Sequence, residues 1–236
     1  QNFEIVIVDD GSTDETVSWL KNNFETYPHL RLFEQSHGGP ALGRNLGVEK
    51  SKGDLIVFID SDLIVDKYFL ESHVNCLIKA WKKLGNRKCF TYGSVVNTSN
   101  FNNPKSESFK LQDLSWAYFA TGNVAIDKKV LELSGLFDPT FRLYGWEDLE
   151  LGERLRNMGV KLIKCPNAIG YHWHPALTLD QIPHLIRIEK ERAKMGLIFY
   201  RKHPTLRVKF IIQYTFFHRC LWEFLTFGGL INTKTL

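Results

Sequence analysis

The stretch "EIVIVDDGSTDET", Glu4 to Thr16, decides the fold. Residues 4–8 show no alternation of apolar and polar side chains, the pattern of a strand buried on both faces of a parallel sheet. Two adjacent carboxylates, Asp9 and Asp10, follow, then Gly11 and a polar run. Ser12 to Glu15 (S-T-D-E) reads as a capping box opening a helix, with Val17, Leu20 and Phe24 at helical spacing. Like charges at the end of a buried strand need a reason. Metal ligation, a catalytic pair, and hydrogen bonds to a neutral ligand each supply one, and this stretch alone leaves all three open.

The same pattern recurs downstream. "LIVFID" (55–60) is a second buried strand, ending in Asp60-Ser61-Asp62. Between the two lie a short strand at 30–33 and "GGPALGRNLG" (38–47), which opens a helix. A helix over about 66–83 and a strand over 89–96 come next. Residues 97–115 are polar and asparagine-rich, a surface excursion. "WAYFATGNVAID" (116–127) reads as a strand, 128–134 as a short helix and 147–158 as another, with strands on either side of Cys165. Strands alternating with helices over short connections predict an open α/β sheet flanked by helices. Ligands in such sheets bind beyond the carboxyl ends of the strands, where Asp9, Asp10, Asp60 and Asp62 all lie.

Composition sets the class. The 236 residues hold 44% hydrophobic and 24% charged side chains, ordinary for a globular chain of one large domain with an appendage. A net charge of +4 suits an anionic small ligand or an acidic membrane surface and is too weak to point to nucleic acid. Cys76, Cys89, Cys165 and Cys220 form no C-x-x-C pair and read as reduced thiols of a cytoplasmic protein. No signal peptide and no 18-residue apolar span is visible. The last fifty residues differ from the rest: a basic helix over 182–203, then, after Pro204, the aromatic-rich "RVKFIIQYTFFHRCLWEFLTF" (207–227). There His218, Arg219, Glu223 and Thr226 share one side of a helical wheel, with Gln213 the exception. A wide apolar face beside a basic segment suits a membrane interface. It suits equally a helix packed on the domain or on another subunit.

Three groups carry chemistry. Residues two apart on an extended chain point the same way, so Asp60 and Asp62 can share one ligand. Two such oxygens suit Mg²⁺ or Mn²⁺ holding a diphosphate, although D-x-D also occurs in turns and caps. In "GWEDLELGERL" (145–155), Glu147 and Asp148 occupy a first helical turn, where the macrodipole favours acids; that alone accounts for them. Read instead as a general base, Asp148 needs burial against Trp146 or repulsion from Glu147 to oppose the dipole. In "YHWHP", His172 and His174 stand two apart, and one of them can complete a metal shell. There is no G-x-S-x-G, no Walker A loop and no G-x-G-x-x-G after the first strand.

Strand-D-D-G-S-x-D, G-P-A-x-x-R-N-x-G, F-I-D-S-D, T-G-N and G-W-E-D-x-E occur in that order. Together they resemble family 2 glycosyltransferases of the GT-A fold, over roughly residues 1–175. The likeness is to bacterial enzymes that build surface polysaccharides and to chondroitin-type polymerase domains. The resemblance implies a GT-A domain over 1–180 with a mostly parallel sheet, and a helical segment over 181–236. It implies an inverting, metal-dependent transfer from a nucleoside-diphosphate sugar, UDP-linked for preference, to a hydroxyl of a glycan or lipid-linked acceptor. By position, Asp9, Arg44 and Asp60 would bind the nucleotide, Asp9 at the base and Asp60 at the ribose. Asp62 and His172 would bind Mn²⁺ or Mg²⁺, Asp10 would support the turn, and Asn123, Gly145 and Trp146 would line the sugar and acceptor site. Asp148 would be the base, assisted by Glu147. The enzyme would work in the cytoplasm, with the C-terminal helices offering a peripheral contact to the inner face of the membrane.

Two departures from the family pattern stand out. Gly43 replaces a frequent alanine, and the usual first strand and helix do not precede Gln1, so the sequence reads as N-terminally truncated. Two rival readings follow: a non-catalytic fragment that binds nucleotide or glycan, and a sugar nucleotidyltransferase.

Overall fold

The computed structural model describes residues 2–23, 26–106, 117–176 and 178–230. The first apolar run becomes β1 (Ile5–Asp9), followed by α1 (Thr16–Asn22), β2 (Leu30–Glu34) and α2 (Pro40–Lys50). The second becomes β3 (Leu55–Ile59), followed by β4 (Leu63–Val65), α3 (Phe69–Leu84) and β5 (Cys89–Thr98). Then come β6 (Asn123–Asp127), α4 (Lys128–Leu133), α5 (Glu147–Asn157) and β7 (Lys161–Trp173). The chain ends in α6 (Ile182–Lys202), α7 (Leu206–Ile211) and α8 (Phe216–Leu225).

Strand directions are mixed where a mostly parallel sheet was expected. β1 and β2 pair in parallel, and a five-stranded sheet runs β3-β6-β5-β7-β4. Within it only β5 and β7 are parallel; β3–β6, β5–β6 and β4–β7 are antiparallel. Two of these reversals come from β6, which enters between β3 and β5 from the opposite end, and the third from β4 at the sheet edge. β1 and β3 are also less buried than their composition suggests: Ile5 is 44% and Ile59 48% exposed. Among the described residues each has a hydrogen-bonded neighbour on one side only, whereas β6, with neighbours on both, is buried at every residue. An apolar run reports what a strand can bury, and its place in the sheet sets how much it does.

Local signals fared unevenly. The predicted capping box at Ser12 does not form: α1 starts at Thr16, its N-cap is Glu15, and no side chain caps it. Ser12 turns its backbone N–H to Asp9 instead, and Asp14 accepts from the Thr16 N–H. Phe24 lies outside the described residues. The strand predicted over 116–127 occupies only Asn123–Asp127, and residue 116 is also outside. Asp127 caps α4 by accepting from the Lys129 and Val130 N–H groups, which fixes that junction.

The chain divides into two compact units, one of Gln1–Arg142 with Glu147–Ala176, the other of Leu143–Trp146 with Leu177–Leu236. In the first, Phe58, Phe90, Phe119 and Phe137 meet edge to face, with ring centroids 5.1–6.4 Å apart. Burial stabilises each such ring by about 1.5–3 kcal/mol relative to exposure. The second unit is helical. Its aromatic run splits into α7 and α8 rather than one helix, because Gln213 adopts φ 57° between them. That is the residue which breaks the wheel pattern.

Candidate active site

Strand register builds the first cluster. β4 pairs antiparallel with β7 so that Leu63 faces His172, and the Trp173 N–H donates to the Asp62 carbonyl at 3.0 Å. Asp62 Oδ1 therefore sits 3.1 Å from His172 Nε2. Asp60, Asp62 and His172 each offer a ligand atom, and these three atoms lie within 4.8 Å of one another. Two carboxylates and an imidazole at that separation fit one divalent cation of the Mn²⁺ type. Burial pushes the Asp60 carboxyl above its ordinary range against the pull of Arg44, and Asp62 adds to the rise. Such mutual repulsion is what a cation would relieve. The His174 ring lies 4.1 Å from that of His172, tilted by 55°, and His174 is not part of the cluster.

The two acids of the opening stretch separate. Asp9, buried, accepts from the Gly11 and Ser12 N–H groups at 3.1 Å, and bonds with Ser12 hold its carboxyl below the usual range. Asp10 reaches across to a second turn: it accepts from Gly38 N–H at 2.9 Å, Gly39 N–H at 2.8 Å and the Gln35 amide. Burial raises its carboxyl, and those bonds outweigh the rise and leave it lowered. Asp10 thus fastens the Gly38–Gly39 turn that opens α2. Gly39 has φ 91°, and a Cβ there would come within 2.5 Å of the Arg142 carbonyl, so only glycine fits.

α2 carries Arg44, and α5 carries Glu147 and Asp148. Arg44 Nη1 meets Glu147 Oε1 at 2.5 Å, while Nη2 lies 3.9 Å from Asp60 Oδ1. Glu147 is buried, and its Oε2 has no hydrogen-bond partner among the described residues. Asp148 accepts from Leu149 N–H at 2.8 Å and Thr121 N–H at 3.4 Å. Burial, then repulsion from Glu147, pushes its carboxyl up to about 7, with Arg44 opposing. Burial and Glu147 together outweigh the lowering by Arg44 and by the Leu149 and Thr121 N–H groups.

Of the residues expected to line the sugar site, Asn123 belongs to the first unit and Gly145 and Trp146 to the second. Asn123 is fully buried: its Oδ1 lies 2.8 Å from His73 Nε2, and its amide donates to the Ala168 and Ser94 carbonyls. His73 in turn meets Thr91, and burial lowers its pKa. Through these bonds Asn123 ties β6 to β5, β7 and α3. Gly145 and Trp146 belong to the second unit, where the Trp146 indole N–H donates to the Arg192 carbonyl at 2.7 Å. The Arg192 guanidinium lies over the same ring at 5.0 Å. Trp146 holds φ 76°, a left-handed conformation costly for a bulky side chain. Sequence reading missed Gln35, Thr121 and the reach of Arg44 to Glu147. Nothing in local spacing signals them.

The glycosyl transferase family 2 model matches residues 1–134, more than half the chain, and the chain belongs to that family. The hyaluronan synthase of Pasteurella multocida is 27% identical over 210 residues, covering 73% of this chain and 22% of that protein. The chondroitin synthase of Pasteurella multocida strain Pm70 is 26% identical over 210 residues, with the same shares, 73% and 22%. The chain thus spans about a fifth of the length of either. A crystal structure of GalNAc-T7 with UDP, GalNAc and Mn²⁺ superposes with a TM-score of 0.56 at 17% identity, covering 73% of this chain and 38% of that one. That likeness establishes the GT-A fold. The chain carries a glycosyltransferase domain, and its three-residue cluster is able to hold a metal.

Proposed function

We propose that this domain transfers a sugar, with inversion, from a UDP-linked donor to a hydroxyl of a glycan or lipid-linked acceptor during polysaccharide synthesis in the cytoplasm. The observation that carries the reading is Asp148, a carboxyl titrating near 7 beside a cluster built for a cation. A base poised near neutral pH combines a populated ionised form with useful basicity. Asp148 takes the proton of the acceptor hydroxyl as that oxygen bonds to the anomeric carbon. The bond from that carbon to the diphosphate breaks on the opposite face, and its electron pair leaves with the diphosphate. Glu147, held in an ion pair with Arg44, supports Asp148 by repulsion that raises its carboxyl. Asp9 and Asp60 face the nucleoside, and Arg44 supplies positive charge on the diphosphate side. Asp60, Asp62 and His172 would hold Mn²⁺ or Mg²⁺, which as Lewis acid and template neutralises charge on the leaving diphosphate.

GalNAc-T7 was crystallised with UDP and Mn²⁺, which supports the donor class. Calorimetric titration of UDP and GDP, with and without Mn²⁺, tests it. UDP should bind at least tenfold more tightly with Mn²⁺, and Asp62→Ala should abolish the gain. A Mn²⁺ gain that survives Asp62→Ala would remove Asp62 from the site.

A further inference from the structure

We propose that the second unit docks on an anionic lipid bilayer, with α8 lying in the plane of the interface. This does not depend on the transfer reaction.

Not one of the ten residues of α8 is buried. Its large apolar side chains run from 41% exposed at Leu221 to 81% at Phe216, with Phe217, Trp222, Phe224 and Leu225 between. At 3.6 residues per turn, Phe216, Phe217, Leu221, Phe224 and Leu225 fall within one half of the helix. Arg219 and Glu223 occupy the other side, joined by an ion pair at 3.2 Å. The face continues beyond the helix into Phe227 and Leu230, both exposed. α7 adds exposed Leu206 and Phe210, the latter 5.7 Å from the His218 ring. A helix in water does not hold five such side chains on one side without something to cover them.

Charge selects the cover. From Arg192 to Leu230 there are seven lysines and arginines and one acid, Glu223, a net +6. The whole chain carries +4, so the remainder sums to −2 and the positive charge is concentrated here. A second copy of the chain would bring two +6 segments face to face, which charge opposes. An anionic surface complements both features. Lys209 lies over the Tyr200 ring at 5.2 Å, and Tyr200 and Tyr214 are 6.2 Å apart, an aromatic and basic grouping suited to the headgroup layer. Ten residues make a helix about 15 Å long, half the ~30 Å hydrocarbon core, so α8 lies along the membrane rather than through it. Among the described residues no helix is long and apolar enough to cross a membrane.

Flotation of the full chain with vesicles tests this, using phosphatidylglycerol–phosphatidylcholine mixtures against phosphatidylcholine alone. The chain should float with the anionic vesicles, and at least tenfold less with the neutral ones. Phe216→Ser with Phe224→Ser should lower partition about tenfold or more, and these exposed positions leave the fold intact by circular dichroism. Arg201→Gln with Lys209→Gln should each cost about fivefold at low salt, less as salt rises. Failure to float with anionic vesicles, or equal partition of all variants, overturns the proposal. So does a concentration-dependent dimer in sedimentation that the two Phe→Ser changes abolish, which would make the face an interface between copies.

Discussion

Replacing Asp148 by asparagine keeps the side chain's shape and removes its charge, so it isolates the burial that raises this carboxyl. The folded-state pKa is about 7 against an ordinary 3.8. A raised carboxyl means that the folded protein binds more protons than the unfolded chain between those values. The protonated form therefore contributes stability that is full below the ordinary pKa and is lost as pH rises through about 7. The difference of about three units corresponds to about 4 kcal/mol, and water around this partly exposed group reduces it to about 2–4 kcal/mol. Asp148→Asn escapes the penalty. In urea denaturation the variant should exceed the native chain in stability by that amount at pH 8. Its advantage should shrink by about 1–3 kcal/mol at pH 5, where the folded native chain holds the proton. Transfer should fall by 10²–10⁴-fold, the range of general-base catalysis, with UDP affinity nearly unchanged. A stability difference that does not vary with pH would show a carboxyl titrating in its ordinary range. Retention of most of the transfer activity would remove Asp148 as the base.

Asn123→Ala deprives buried His73 of a partner and leaves the Ser94 and Ala168 carbonyls short of a donor. It should cost about 2–4 kcal/mol in urea melts while donor affinity stays constant; weakened donor binding at unchanged stability would return Asn123 to the ligand site. Gly93→Ala places a Cβ against that same amide and the Ala168 carbonyl and should destabilise by about 1–3 kcal/mol. A native melting temperature for Gly93→Ala would show that the network has slack there.

Much of the chain was legible because its signals are local. The apolar runs at 5–8 and 55–59, the proline at α2 and the acids opening α5 each fix an element through a few neighbouring residues. The metal cluster was legible in part. Spacing pairs Asp60 with Asp62, but their meeting with His172 depends on β4–β7 register, which the resemblance supplied and spacing did not. Strand direction was not legible, since β6 can join β3 and β5 only through a reversal that no residue marks. Ser12 shows local chemistry misleading in its own right: an S-x-x-E pattern caps a helix only when no stronger acceptor competes, and the Asp9 carboxylate takes its N–H. Asn123 illustrates the reverse case. A polar residue in T-G-N reads as a ligand contact, and in the fold its side chain also bonds to His73 and to the Ser94 and Ala168 carbonyls.

The hardest feature to read from spacing is the one that sets the chemistry apart. Four acids, Asp60, Asp62, Glu147 and Asp148, arise from two motifs more than eighty positions apart, and Arg44 reaches one acid of each. A charge at 4 Å is worth about 4 kcal/mol in a medium of effective dielectric 20, so such contacts weigh heavily on a carboxylate. With its guanidinium committed to Glu147 and turned toward Asp60, Arg44 leaves Asp148 with two backbone N–H groups and a charged neighbour. Glu147 and Asp148 are adjacent acids in one helical turn, subject to the same dipole. Arg44 meets Glu147 directly and also pulls the Asp148 carboxyl down, but at Asp148 burial and the Glu147 charge prevail. An aspartate at a helix start would ordinarily be a poor base at neutral pH; what suits this one to the proposed role is burial together with the charge of Glu147, which outweigh the opposing pull of Arg44.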